Sequence, residues 1–566
     1  MIAWAAGLSK ILEASSLPEP VKALLLQHGI GGRRIGEIYC LLAGGKPMTI
    51  DEIVSRTGAS RRLVETAVRA AGPHVGDSHE EISFTSESVE LYRDFFRCCR
   101  SFPEGDHREL AEMESLVEAA PGPLAALDHV PAIPETVLKR AYFMLHTYEL
   151  RGARILCLGD HDLTSLGIFL AGGEDGLTVD VVDVDERTLE YIDREANRRD
   201  FGVQCYFGDL RIGLPSALKG AYDLIFTDPP YTPEGMRLFV SRGLEALRDD
   251  RNGRLLVAYG FGEQHPALGL SVQNALAPLH LVYEAVLPGF NRYTAAQAIG
   301  STAAMYVLRP TRRSAAAARR LGDQSSTRVY THGAQSVESA SANLGETATR
   351  RVIELADSRD DEIVLVGGGH PSSTRSHSRS LKEFLGAPLP EPLRMHAAII
   401  NLYPEHGESL LRVLLAANAP RVVVVCPNDV PEVRDAKGQR ALAELVGPKY
   451  RVVRMLRSTP TPDSAVVVGD RTVPDELDPS DKVVRHVYER AHGKIGNCWR
   501  EGLIAFERSR GLELAKGQAR ERIARYCHRP ELLGTVVDRP SPAPSARIGR
   551  RHQAISGNRL SFEPKW

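Results

Sequence analysis

The chain has 566 residues, 43% of them hydrophobic and 25% charged, with a formal net charge of −2. That length predicts three or four domains, and the balanced charge excludes a global basic field directed at nucleic acid. No apolar run approaches the ~18 residues of a membrane helix, and Met1-Ile2-Ala3-Trp4 lacks the basic start and long apolar core of a secretion signal, so a cytoplasmic location is expected.

Residues 1–97 read as an N-terminal winged helix-turn-helix domain. Helices are predicted over Arg34–Leu42, over Ile50–Thr57 closed by Gly58, and over Arg61–Ala70 capped by Ser60. His74-Val75 and Glu81–Phe84 would form a small wing. Arg61, Arg62 and Arg69 lie where a DNA reader places its contacts, but a dimerising or substrate-covering module is the favoured reading. Residues 98–150 read as a helical linker interrupted by Pro121-Gly122-Pro123.

Residues 151–310 read as a Rossmann-like α/β domain. Ile155–Leu158 is an apolar strand that runs into Gly159-Asp160-His161-Asp162 and then a helix. Thr178–Asp185 is a strand ending in acids, and Tyr206-Phe207-Gly208-Asp209-Leu210 ends a third. Tyr222–Phe226 leads into Thr227-Asp228-Pro229-Pro230-Tyr231. Strands continue at Arg254–Tyr259, Leu281–Leu287 and Ala303–Leu308. Alternation with helical stretches predicts a largely parallel sheet. Residues 311–350 read as a linker that becomes helical. Residues 351–530 read as a second, degenerate or scaffolding Rossmann-like domain, with strands at Glu362–Val366, Ala397–Leu402, Arg421–Cys426, Tyr450–Leu456 and Ala465–Gly469. Gly367-Gly368-Gly369 lacks the rest of a phosphate-loop fingerprint. His370, His396 and His406 with Glu405 are read as ordinary histidines rather than a site. Residues 531–566 form a basic, proline-containing tail. The eight cysteines show no zinc-type spacing, so free thiols and no metal are expected.

The carboxyl ends of parallel strands are where open sheets hold ligands. Asp183 follows Asp160 by 23 residues, close to the spacing at which a second-strand acid takes a ribose hydroxyl pair. Asp183 and Asp185 are assigned to the ribose, and Asp209 with Leu210 to adenine, with Gly159 making the turn. The prolines of Asp228-Pro229-Pro230-Tyr231 fix φ and lack N–H groups, so the turn is stiff. Asp228 and the carbonyls of Pro229 and Pro230 are assigned to gripping an attacking amine, and Tyr231 to packing on it. Asp160 and Asp162 near the first loop would repel a carboxylate and attract an ammonium; either could instead cap the following helix. Asp162 is assigned to orienting an ammonium or accepting its proton. Glu234 and Glu263 could extend an acidic channel.

These words together resemble the branched-chain polyamine synthases, the N(4)-bis(aminopropyl)spermidine synthase family. The resemblance rests on Pro134-Glu135-Thr136-Val137, the 159–165 loop, Asp183-Val184-Asp185-Glu186-Arg187, Thr227–Thr232, and Gly235–Phe239 with Ser241-Arg242-Gly243. Two departures stand out: His161 replaces the middle of three acids, and the chain runs far past the family core. The resemblance implies an N-terminal winged-helix domain, a Rossmann-like aminopropyltransferase domain and a homodimer. It implies transfer of an aminopropyl group from decarboxylated S-adenosylmethionine, a co-substrate rather than a tightly bound cofactor, to a polyamine such as spermidine. Two other readings compete. One is an S-adenosylmethionine-dependent N-methyltransferase acting on nucleic acid or protein, against which the acidic loop argues. The other is a non-enzymatic regulator sensing a nucleoside or polyamine.

Overall fold

In the computed structural model the described residues are 5–76, 81–96, 107–173, 175–262, 265–294, 301–323, 329, 330, 344, 346–358, 363–367, 377–386, 396–404 and 406–526. The chain divides into two compact units. The first comprises Met1–Asp183, Tyr191–Cys205 and Leu218–Ser325; the second comprises Val184–Glu190, Tyr206–Ala217 and Ser326–Trp566. Two short stretches from the middle of the chain therefore belong with its C-terminal half.

Near the N-terminus, helices form at Arg33–Ala43, Ile50–Thr57 and Arg61–Ala71. Thr49 and Glu52 make a reciprocal capping box on the second, and the Ser60 hydroxyl accepts from the Leu63 N–H on the third. Such caps stabilise a helix by about 1 kcal/mol each. These helices bury Ile35, Ile38, Leu42, Ile53 and Val64 in one core with Phe84 and Tyr92. Isolated bridges join Met48 to Ile82 and Val75 to Phe84. The tip of the expected wing lies outside the described residues. Arg61, counted among possible DNA contacts, is paired with Asp51 and Glu65.

The first unit holds most of a seven-stranded sheet: β1 (Arg154–Leu158), β2 (Thr178–Asp183), β3 (Val203–Phe207), β4 (Leu224–Thr227), β5 (Arg254–Tyr259), β6 (Val282–Arg292) and β7 (Thr302–Arg309). Their order is β3-β2-β1-β4-β5-β7-β6. β1 pairs in parallel with β2 and β4, and β4 with β5. β7 lies antiparallel between β5 and β6. Apart from Arg154 and Thr227, β1 and β4 are apolar, and they are almost wholly buried, as expected of strands covered on both faces.

The second unit holds β8 (Ile363–Val366), β9 (His377–Arg379), β10 (Ala397–Asn401), β11 (Arg421–Pro427), β12 (Tyr450–Arg457) and β13 (Ser464–Arg471). Their order is β12-β13-β11-β10-β8-β9. β8 pairs in parallel with β9 and β10, and β10 with β11, while β13 lies antiparallel between β11 and β12. Place for place, β9, β8, β10, β11, β13 and β12 repeat β2, β1, β4, β5, β7 and β6. The second sheet is a copy of the first without the β3 position. β9 was not expected from sequence: it is three residues long and polar.

Among the described residues no helix is long and apolar enough to cross a membrane, and no group of three or more His, Cys, Asp or Glu could hold a metal ion. Cys157, Cys205, Cys426 and Cys498 are free, but Cys40 is disulfide-bonded, which corrects the expectation of free thiols throughout.

Candidate active site

The turn after β1 needs a glycine. Gly159 has φ of 71°, in the left-handed region that glycine enters at little cost. Beyond it, the Asp160 N–H donates to Asp183 Oδ2 at 3.1 Å, tying the end of β1 to the end of β2. The Asp160 carboxylate accepts from the N–H groups of Thr164 (2.8 Å) and Ser165 (3.0 Å), at the start of the helix Thr164–Leu170. Asp160 is thus a helix-capping group. Burial pushes its carboxyl up to about 7, against those hydrogen bonds.

Asp162 points elsewhere. Its Oδ1 accepts from the Ala132 N–H (2.8 Å), and its Oδ2 from Arg140 Nη1 (2.7 Å). Arg140 is wholly buried and forks between two acids, its Nη2 donating to Asp228 Oδ2 at 2.7 Å. Its Nε donates to Asn291 Oδ1 at 2.8 Å, and its plane lies over the Phe226 ring. The Asp228 carboxylate is further held by two phenols, Tyr293 Oη at 2.7 Å and Tyr231 Oη at 3.0 Å. The phenol oxygens are 2.9 Å apart. With Asp228 ionised, two phenol protons serve three contacts, so one contact is without a proton.

Local sequence explains the assembly. The helix Pro134–Thr147 starts on Pro134 and buries Val137, Ala141 and Met144; Arg140 lies within that apolar stripe. The segment before it is pinned to the end of β6: Ala132 bridges Tyr293, the Ile133 N–H donates to the Arg292 carbonyl, and Thr136 Oγ1 accepts from the Arg292 N–H. These contacts place Arg140, Asn291 and Tyr293 at the ends of β1 and β4. Residues 98–150, read from sequence as a helical linker, supply the cation at the centre of the site.

The electrostatics follow from one cation among two carboxylates. For Asp162, burial alone would raise the carboxyl, but His161 and Arg140 outweigh it and hold it below the usual range. For Asp228 burial wins: its carboxyl is raised despite Arg140, with Asp162 pushing the same way. His161 lies 3.3 Å from Asp162 and stacks on His129 with centroids 4.4 Å apart. Burial opposes its protonation, but Asp162, Asp228 and Asp183 together raise its pKa. With Asp228 ionised, Arg140, Asp162 and Asp228 carry one net negative charge, which a protonated His161 or a bound ammonium would balance. The picture of two uncompensated loop acids is therefore corrected: Asp160 caps a helix, and Asp162 is matched by Arg140.

The remaining expected residues fall into place differently. Pro229 and Pro230 are buried, and the Pro230 carbonyl is packed against Gly235, where a Cβ would come within 2.7 Å. Thr232 caps the next helix by accepting from the Gly235 N–H (2.9 Å), and Glu234 sits half-buried in its first turn, outside the Arg140 network. Asp185 belongs with the second unit, where it accepts from Arg187 and Thr188. Asp209 and Leu210 also belong there, both buried, Asp209 held by Arg211 and His406. His406 is thus no bystander, while Glu263, His370 and Glu405 lie outside the described residues. Arg140, Asn291 and Tyr293 were missed from sequence. Only Arg140 left a trace, as a charge at i+3 from Val137 inside an apolar stripe.

Residues 109–341 match the family model described as the branched-chain polyamine synthase A C-terminal domain. A Methanocaldococcus jannaschii protein described as uncharacterised is 38% identical over 178 residues, 31% of this chain and 44% of its own length. The N(4)-bis(aminopropyl)spermidine synthase of Thermococcus kodakarensis is 31% identical over 140 residues, 25% of this chain and 39% of its own length. The chain spans about half or less of these curated relatives. A crystal structure of the Thermus thermophilus branched-chain polyamine synthase, with N4-aminopropylspermidine and 5′-methylthioadenosine, aligns at 19% identity and a TM-score of 0.33, covering 57% of this chain and 97% of that one. The matched segment, residues 109–341, runs from the helix before Arg140 past the end of β7, and over it the chain is similar to the branched-chain polyamine synthase family.

Proposed function

We propose that the protein is an aminopropyltransferase that moves an aminopropyl group from decarboxylated S-adenosylmethionine to an amine of a polyamine such as spermidine. The observation that carries this reading is the buried Arg140 shared by Asp162 and Asp228, which, with Asp228 ionised, leaves one negative charge for a bound ammonium or the His161 proton to balance. The family match over residues 109–341 supports it.

Aminopropyl transfer is an in-line displacement. The amine lone pair forms a bond to the carbon next to the sulfonium, the carbon–sulfur bond breaks, and its electron pair goes to sulfur, leaving a neutral thioether. The amine must be neutral as it attacks, so an acceptor that arrives as an ammonium sheds one proton first. Asp228 is assigned to hold the attacking amine and take the proton, because its raised pKa makes it the better base of the two acids. Tyr231 and Tyr293 orient it. Asp162 stays ionised and, with Arg140, fixes the position of Asp228 while contributing field for a cation. An ammonium bound here competes with the His161 proton for the same negative charge. Asp160 and Gly159 shape the turn, and Asp183 is assigned to the ribose. Asp185, Asp209 and Leu210 are assigned to the nucleoside end. Pro229 and Pro230 stiffen the acceptor turn, and Glu234 flanks it.

The finer organisation is read in the same way. The N-terminal helices and bridges are a winged-helix domain used for substrate covering or dimerisation, and the enzyme works as a homodimer. The domains are those set out from sequence, with the helix carrying Arg140 moved into the catalytic one.

The test is calorimetric titration of the full-length protein with decarboxylated and intact S-adenosylmethionine. Tighter binding of the decarboxylated form is expected; preference for the intact form would overturn the reading and favour N-methyl transfer.

A further inference from the structure

We infer that His406 and Arg412 are positioning residues for donor recognition, acting through Asp209, Phe207 and Glu186 of their own unit. The inference rests on the function proposed above, which assigns Asp209 and Asp185 to the donor. Both residues lie outside the family match at 109–341. They give the C-terminal half a part in catalysis that the family core does not supply.

The stretch that carries them begins at the end of β10. The His406 N–H donates to the Leu402 carbonyl (2.8 Å), a short turn Gly407–Ser409 follows, and the helix Leu410–Ala416 begins. The helix is anchored by Leu410, Val413 and Leu414 in the core between the second sheet and its helices, and Ile212 packs against that same core. The segment 206–217 is thereby fastened to the helix that follows His406.

On this anchor sit two polar clamps. Asp209 is buried and both of its oxygens are held. Oδ1 accepts from the Arg211 N–H and Nε, both at 2.9 Å, and Oδ2 accepts from Arg211 Nη2 at 2.6 Å and lies 3.2 Å from His406 Nδ1. Arg211 belongs to the same turn as Asp209 and reaches the rest of the unit through Glu408, at 4.0 Å, and the Tyr330 ring. His406, 197 residues downstream, contacts the Asp209 carboxylate directly. The second clamp is Arg412, whose Nη1 is 2.5 Å from Glu186 Oε1 and whose guanidinium lies 3.9 Å from the Phe207 ring centroid. One buried side chain thus grips both middle segments: Glu186 neighbours Asp185, and Phe207 stands two residues before Asp209. Glu408 and Glu432 also lie in this field and add to the repulsion that Arg412 offsets around Glu186.

A purely structural role would cost stability and leave donor and acceptor constants alone. A positioning role separates them. For His406→Ala in the full chain, the KM and Kd for decarboxylated S-adenosylmethionine should rise about tenfold, as for loss of a buried hydrogen bond to a charged group. The acceptor KM should stay put, and kcat at saturating donor should change less than about twofold. His406→Gln, which restores an N–H donor, should recover most of the loss. Arg412→Lys keeps the charge but loses the flat stack on Phe207, and should raise donor KM in the same direction. Donor affinity that is unchanged or tighter in both variants, with melting temperatures near wild type, would overturn the inference and leave the proposed function standing. Wild-type protein that binds no donor would overturn both. If His406→Ala does not fold, Arg412→Lys and His406→Gln against wild type decide the matter by the same constants.

Discussion

The two sheets share one strand order and part company at their strand ends. In the first, β1 aligns with β4 through Leu158 and Thr227, so the next residues are Gly159 and Asp228. In the second, β8 aligns with β10 through Val366 and Ile400, so the next residues are Gly367 and Asn401. Both glycines take a positive φ, and a Cβ at Gly367 would stand 2.4 Å from the Asn401 carbonyl oxygen. The tight turn is common to both copies. The charge is not. Asp228 is a carboxylate drawn into a network of Arg140, Tyr231 and Tyr293; Asn401 is an amide whose Oδ1 accepts from its own neighbour, the Tyr403 N–H, at 3.1 Å. An amide cannot take a proton from an amine. Topology provides an edge where ligands are held, and a few side chains decide whether that edge does chemistry.

The largest expected effect comes from exchanging the two strand-end residues in kind. Asp228→Asn should lower kcat by about 10²–10⁴ while the melting temperature stays near wild type. Asn401→Ala in the second sheet should leave turnover unchanged. Equal losses in both variants would erase the distinction between the copies. Next comes the cation that only the first site has. Arg140→Met leaves Asp162 and Asp228 without their shared cation, and should cost about 3–5 kcal/mol of stability together with activity, read by denaturant unfolding. Tyr293→Phe is milder. It removes one donor to Asp228 and should reduce kcat about tenfold with donor KM unchanged.

A separate effect is on the pH dependence of stability. Asp160 and Asp223 both have carboxyls pushed up to about 7, burial being the main cause. Between about pH 4 and pH 7 the unfolded chain releases these protons while the folded chain keeps them. Stability should therefore fall as pH rises through that window, by at most ~1.4 kcal/mol per unit from each group, and level off above it. Asp160→Asn should flatten the slope; an unchanged slope would remove Asp160 from the account.

How much of this was legible depends on distance along the chain. The strands of both sheets other than β9 were readable because most are short apolar runs, and Ser60 and Gly58 mark helix ends by local chemistry. Asp228 and Tyr231 stood out because a double-proline turn after a strand is locally distinctive. Arg140 was not legible as a site residue, since its partners Asp162, Asp228 and Asn291 lie 22, 88 and 151 residues away. Tyr293 follows an ordinary strand, and nothing nearby marks its hydroxyl. Asp160 shows the reverse case: its place in a loop suggested a ligand, while its two hydrogen bonds show a cap. His406 was discounted because a lone histidine in a polar loop carries no local signal, and its partner Asp209 belongs to a segment 197 residues earlier.

The central claim is that Asp228 in the first sheet serves the attacking amine in aminopropyl transfer. The most direct measurement is mass spectrometry of spermidine incubated with decarboxylated S-adenosylmethionine and the full-length protein, run in parallel with Asp228→Asn. The account predicts products heavier by one or two aminopropyl groups with the wild type and almost none with the variant. Absence of product with the wild type, or equal product from both proteins, would contradict it.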